Sequence, residues 1–296
     1  MCRSRIYGII LMVLFLAMPR FADAQSVAMS FAALPTDPAE LAMGGISEVS
    51  DDTRMDASAG YMLYSPSYVP ASYMTAQAEY VIKDKIGFSL GALYGKCAEY
   101  EMFNPGGLSS GYFTPAQMKF NAGVEYKVLN FLSAGIKLKY LGESLAPEAK
   151  YGAFSGDVYV NADVPLSSTS SLVGRAGVAN AGTKVKSASG QGYSLPSSAL
   201  VAAGYKSDFG RSRLSIMAQA DYYFCNTLAI SAGASYTFND LVSLRAGYHV
   251  GDKVVMSSFA SAGLGLCLFG AKLDIAYLFG SDVMKNTLSV SVGYAF

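Results

Sequence analysis

The sequence is poor in the residues on which most catalytic and metal chemistry is built: one histidine, His249, and four cysteines with no Cys-x-x-Cys among them. Three cysteines, Cys97, Cys225 and Cys267, lie beyond residue 24, an odd number at wide spacing, so they form neither a disulfide framework nor a metal cluster. No block of basic residues occurs, which leaves nucleic-acid binding without an electrostatic footprint. Beyond residue 24 there is also no uninterrupted apolar stretch of the roughly 20 residues that a membrane-spanning helix needs. Yet 52% of the residues are hydrophobic and mean hydropathy is positive. Hydrocarbon admits only structures that satisfy their backbone hydrogen bonds internally, namely helices and closed barrels. With spanning helices excluded, an exported apolar chain is a barrel, provided its strands alternate.

The first residues carry the export signal. Arg3 and Arg5 precede a 13-residue apolar run from Ile6 to Met18, and Ala22-Asp23-Ala24 stands before Gln25. That is the basic, apolar, small-residue order of a secretory signal peptide, read here as residues 1–24. Cys2 follows only Met1, so there is no lipobox around it. Removing this segment takes away three arginines and one aspartate and changes the formal charge from zero to −2.

The alternation is present. Leu288, Val290, Val292, Tyr294 and Phe296 fall on one face of the last segment, with Ser289, Ser291, Gly293 and Ala295 on the other. Ile136, Leu138 and Tyr140 oppose Lys137 and Lys139, while Val158, Val160 and Val164 oppose Asp157, Asn161 and Asp163. A charge on the lipid face at mid-depth costs about 2–4 kcal/mol, so a strict pattern is expected in a membrane barrel. The apolar faces run about 9–11 residues, the length of a tilted membrane strand. Tyrosines recur at segment ends, Tyr80, Tyr94, Tyr126, Tyr140, Tyr236, Tyr277 and Tyr294, as aromatic girdles would.

About thirteen such segments run from Tyr73 to Phe296, separated by turn signals such as Lys83-Asp84, Asn104-Pro105-Gly106-Gly107 and Asn239-Asp240. Single-chain bacterial barrels use even strand numbers, so a further strand is expected between Gly44 and Tyr64. The expectation is an all-β transmembrane antiparallel barrel of about fourteen strands. It divides into residues 25–72, a periplasmic or plug segment, and residues 73–296, the barrel. Glu99 to Pro115, Glu143 to Tyr151 and Lys184 to Pro196 read as long extracellular connections, and Val128 to Asn130 and Phe238 to Asp240 as periplasmic turns.

The mature chain opens with Ser30-Phe31-Ala32-Ala33-Leu34 and Asp37-Pro38-Ala39-Glu40-Leu41-Ala42-Met43-Gly44-Gly45, followed by Asp51-Asp52. Further phrases follow in order: Phe131 to Tyr140, Val178-Ala179-Asn180-Ala181-Gly182, Leu195-Pro196, Leu244 to Tyr248 and Leu273 to Tyr277. As an ordered set they resemble the PorV/PorQ family of Bacteroidetes outer-membrane barrels. That resemblance implies a fourteen-stranded, FadL-like barrel with its N-terminal segment at or in the periplasmic mouth. It also implies a non-enzymatic scaffold for type IX-like secretion, with cargo C-terminal domains or other secretion components as partners. The alternative function is a FadL-like outer-membrane transporter for a hydrophobic or small solute.

Any Ser-His or His-metal scheme must use His249, which alternation turns into the lumen; the reading here is no catalytic, cofactor or metal residue. The lumen-facing candidates are Lys137, Lys139, Asp157, Asp163, Arg175, Asp221, Arg245, His249, Lys272 and Asp274, joined by Glu79, Lys119 and Glu125. Their mixed signs argue for a polar network or substrate path against a one-sign selectivity ring. Gly44, Gly45, Asp51, Asp52 and Arg54 are the plug candidates. Val292, Tyr294 and Phe296 read as the signal for the barrel assembly machinery, and the expected surroundings are outer-membrane lipid.

Overall fold

The computed structural model describes residues 27–48, 55–64, 70–187, 190–280 and 284–296. A 3-10 turn, Ser30–Ala33, and a short helix α1, Pro38–Ala42, precede the sheet. The strands are β1 (Met55–Tyr64), β2 (Ala71–Ile82), β3 (Ile86–Cys97), β4 (Tyr100–Phe103), β5 (Ser109–Phe113) and β6 (Ala116–Leu129). Then come β7 (Leu132–Ala146), β8 (Ala149–Pro165), β9 (Ser170–Gly182), β10 (Val185–Lys186), β11 (Gly192–Tyr193) and β12 (Ser198–Phe209). The last are β13 (Ser212–Tyr223), β14 (Thr227–Phe238), β15 (Val242–Val250), β16 (Phe259–Leu268), β17 (Ala271–Gly280) and β18 (Thr287–Ala295).

Fourteen of these close into one antiparallel barrel in the order β1-β18-β17-β16-β15-β14-β13-β12-β9-β8-β7-β6-β3-β2. β4-β5 and β10-β11 are separate small hairpins within connections. Closure leaves no sheet edge, which is what an apolar solvent requires. β1 pairs with β18, Asp56 opposite Ala295 through Leu63 opposite Leu288, and the Phe296 N–H donates to the Met55 carbonyl at 2.9 Å. Both chain termini of the sheet therefore lie at one rim, called here the terminal end; the opposite rim is the loop end.

The barrel starts at Met55 and not at residue 73. Its first strand was hard to see because Ala57, Ser58, Ala59 and Gly60 are small on both faces, and it falls in the interval from which a fourteenth strand was expected. The connection from Glu143 to Tyr151 is also shorter than expected: β7 and β8 stay paired to Ala146 and Ala149, an extended hairpin in place of a loop.

The terminal-end turns are tight because their residues accept left-handed backbone. Lys83 and Asp84 (φ 51° and 52°) and Asn239 and Asp240 (φ 53° and 55°) have the paired positive φ of two-residue turns whose twist matches the strands. Outside, large apolar side chains face away from the lumen all round the barrel, including Leu90, Phe120, Leu138, Phe154, Val201 and Ile216. Tyr80, Tyr126, Tyr236 and Tyr294 mark the terminal-end rim of this surface, and Tyr94, Tyr140 and Tyr248 the loop-end rim. Among the described residues no helix is long and apolar enough to cross a membrane.

Candidate functional site: the plugged lumen

The N-terminal segment does not stop at the mouth of the barrel. Met29, Phe31 and Leu34 pack in one buried cluster with Leu93, Leu141, Val185, Leu195, Phe259 and Leu278, which lie toward the loop end. The Ala28 N–H donates to the Ser194 carbonyl of a loop-end connection at 3.0 Å. The segment thus threads the lumen from the loop end toward β1. Of the two readings of this segment, periplasmic lead-in or plug, residues 27–48 take the second and reach past the mouth: burying each large apolar side chain stabilises by about 1.5–3 kcal/mol, and the partners of Met29, Phe31 and Leu34 lie toward the far end.

Midway, α1 rests on β15 to β18. Asp37 caps it, its Oδ1 accepting the Ala39 N–H at 2.8 Å, and Pro38 occupies the first turn, where its missing N–H costs nothing. The chain then reverses at Gly44 and Gly45, with φ of 73° and 86°, a backbone region that a side chain would strain. Three inward glycines receive it. A Cβ at Gly233 or Gly247 would overlap the backbone of Met43, the latter also Gly44, and one at Gly263 would overlap Ala42. Gly233 and Gly247 are register partners on β14 and β15. Ser261 completes this saddle: its Oγ accepts the Gly44 N–H at 3.2 Å and donates to the Ala42 carbonyl at 2.9 Å. Leu41, Met43 and Ile46 are fully buried as a result.

The charged candidates sort into groups. Arg245 pairs with Asp274 at 2.6 Å, in space that a side chain at Gly265 would fill, and Lys272 pairs with Asp56. Lys139 pairs with Asp157 at 2.7 Å and donates to Asn180 Oδ1 at 2.9 Å, while Asp157 also accepts the Asn180 N–H. Glu125 accepts from Ser133 and Asn161, and Arg175 donates to Asn161 Oδ1 at 2.7 Å with its guanidinium over the Tyr159 ring. Asp221 accepts from Gln219 at 2.8 Å. Asp163 is part-buried on β8 and joins none of these clusters. Asp51, Asp52 and Arg54 lie outside the described residues, as does the proposed signal peptide. Val292, Tyr294 and Phe296 are exposed on the outer face of the closing strand.

Asp37, on the plug and outside the strands, has its carboxyl pushed up to about 7, chiefly by burial and further by Glu40 beside it. His249 is 1% exposed, stacks on Phe259 at 5.1 Å and shares a hydrogen bond with Ser231 Oγ at 2.8 Å through Nδ1. Its ring sits in register opposite Ser231, one inward position toward the loop end from the Gly233–Gly247 saddle, and no carboxylate orients it among the described residues. No group of three His, Cys, Asp or Glu placed to hold a metal occurs among the described residues.

Two spaces flank the wall made by β2, β3 and β6 to β8. Inside, between plug and wall, is a polar cavity of about 240 Å³ bordered by Thr36 and Glu40 of the plug and by Gln77, Lys119, Asn121, Lys137, Lys139 and Asp157. Outside is a groove of about 690 Å³ with an almost wholly apolar surface, bordered by Leu90, Phe120, Leu138 and Phe154 with Ala76, Ala78, Ala92 and Ala122 between them. Gln77, Asn121 and Lys139 border both.

No protein-family model matches this sequence, and no curated protein matches it. Solved structures do match by shape. The toluene transporter TodX of P. putida superposes with a TM-score of 0.53 over 89% of this chain and 99% of its own, at 12% identity. The monoaromatic hydrocarbon channel CymD gives 0.54 over 88% and 97%, at 13% identity. The outer membrane protein Omp33 of Acinetobacter baumannii gives 0.50 over 82% and 98%, at 8% identity. The fold is that of outer-membrane β-barrel channels. These matches carry the barrel fold; the secretion scaffold that the PorV/PorQ resemblance implies has no counterpart among these three.

Sequence reasoning had placed the charged lumen residues on their strands but missed the glycine saddle, Ser261 and the apolar loop-end cap. The saddle leaves a faint signal, a glycine flanked by apolar residues on each of three successive strands: Gly233 and Gly247 opposite one another, and Gly263 two residues past Ser261, the partner of Gly247.

Proposed function

We propose that the chain is a non-enzymatic outer-membrane channel of FadL-like type, conducting a hydrophobic or small solute, closed in this state by its own N-terminal segment. The observation that carries the reading is the pair of spaces on the two faces of one wall. An apolar groove open to lipid and a polar cavity beside the plug are separated only by strands β2, β3 and β6 to β8 and share Gln77, Asn121 and Lys139. At that height β3 contributes Gly91, which has no side chain, and the Asn121 amide lies over it. The architecture that the chain shares with TodX and CymD supports the same reading.

The test is uptake. A strain lacking the protein is compared with one expressing it across a panel of hydrocarbons and small polar solutes, and the expected result is slower entry of at least one class. Equal entry of every solute in the two strains would overturn the reading.

A further inference from the structure

The lumenal cavity is bordered by a lysine that has no direct partner among the described residues. Lys119 of β6 is only 7% exposed, its side chain borders the cavity, and among the described residues it makes no hydrogen bond and no ion pair. The side chain is buried but its amine opens on the cavity, where an amine without a protein partner keeps its charge only beside water or an anion. Two more lysines border the same space. Lys139 spends two of its three protons on Asp157 and Asn180, and Lys137 has no hydrogen bond among the described residues. The Asn121 amide borders the cavity as a further donor.

The carboxylates that border it are not equivalent. Asp157 is occupied by Lys139 and the Asn180 N–H, and Asp221 by the Gln219 amide. Glu40, on the plug, is the one without a hydrogen-bond partner among the described residues. It opposes the lysines across the cavity and would compete with any anion there.

We propose that this cavity is a binding site for a small oxyanion, a carboxylate or phosphate group, gripped by Lys119 with Lys137, Lys139 and the Asn121 amide. The class follows from the walls. Ammonium and amide donors converge, as an oxygen-bearing anion requires. At about 240 Å³ the space falls below the roughly 300–1,000 Å³ of pockets that enclose drug-sized ligands, so the occupant is a small group with its water. An uncharged hydrocarbon would offer Lys119 and Lys137 no acceptor. The site deepens the channel reading by giving the lumen a preference, but binding does not depend on transport: a site that binds in a protein that conducts nothing would sink only the function proposed above.

The experiment uses the purified mature chain in detergent, with inorganic phosphate and acetate as separate calorimetric probes, so that the two sources of an oxyanion are told apart. Saturable binding of at least one is expected. It should weaken tenfold or more in Lys119→Met, which keeps the apolar stem and removes the charge, and should be unchanged in Lys150→Gln on the exposed β7–β8 hairpin. Glu40→Gln should tighten binding several-fold, a change in the opposite direction that misfolding cannot produce. Lys137→Gln, expected to weaken binding as well, keeps the proposal testable if the Lys119 variant fails to fold. No binding of either probe, or binding that Glu40→Gln leaves unchanged and Lys150→Gln weakens as much as Lys119→Met, overturns it.

Discussion

Gly44 of the plug and Gly247 of β15 meet backbone to backbone, with no room for a side chain on the strand glycine. This contact converts the position of one inward glycine into the state of the whole lumen. Its neighbours Met43 and Ser261 hold only while the approach stays this close.

Replacing Gly247 by leucine is therefore expected to evict the plug without breaking the barrel, because the new side chain points into the lumen and touches no ladder hydrogen bond. Eviction forfeits the burial of Leu41, Met43 and Ile46, each about 1.5–3 kcal/mol. In planar bilayers the variant should show larger and more frequent conductance steps than the native protein. Deleting residues 27–48 should reproduce them. A variant as quiet as the native chain would mean that the plug does not close the pore.

The plug should also loosen as pH rises. Asp37 has its carboxyl raised from 3.8 to about 7, by burial first and by Glu40 second, so the docked plug holds a proton that the released plug gives up. The sign follows: this contribution is fully present below about pH 4 and is lost as pH rises through about 7. Proteolysis of the N-terminal segment should be faster at pH 8 than at pH 5. Asp37→Asn should flatten the dependence, since asparagine still caps α1 but cannot ionise.

The strand pattern was legible for a simple reason. A membrane barrel tolerates no charge facing lipid, so Lys137 and Lys139 on β7 and Asp157 on β8 announce the register by themselves. β1 was legible only as a missing partner, because Ala57 to Gly60 alternate nothing. The plug's path was not legible at all. Phe31 and Leu34 carry no period, and their partners Leu141, Val185 and Leu195 come from three distant parts of the chain. The saddle was hidden for the opposite reason: its signal is the absence of side chains, and glycine is common throughout this sequence. Lumenal charge positions follow from alternation, but which charges pair, as Lys139 does with Asp157 and Lys119 does not, depends on shear and height around the barrel.

Arg245 and Asp274 form a shielded pair in the lumen, at 2.6 Å and with both side chains less than a fifth exposed. Removing one member of such a pair costs about 3–5 kcal/mol, because the other charge stays behind, whereas replacing both by apolar residues is close to neutral. Arg245→Met is thus expected to lower the urea midpoint of the refolded barrel clearly. Arg245→Met with Asp274→Leu should recover most of the loss. If the double variant is as unstable as the single one, the pair holds something more than itself, and Asp37 above it is the first group to examine.

The outer face offers the most direct check on the membrane reading. Ile136 is exposed on β7 between the two tyrosine rims, and its register partners Val124 and Val158 also face outward. If lipid covers this face, Ile136→Arg places a guanidinium near mid-depth and costs about 2–4 kcal/mol, while the same substitution beyond the rim, at Val128, costs about 0–1 kcal/mol. Reversible unfolding in vesicles reads the difference between the two variants. In a water-bathed barrel both arginines would be tolerated alike, so equal unfolding free energies would remove the bilayer from the account and leave the apolar groove without an explanation.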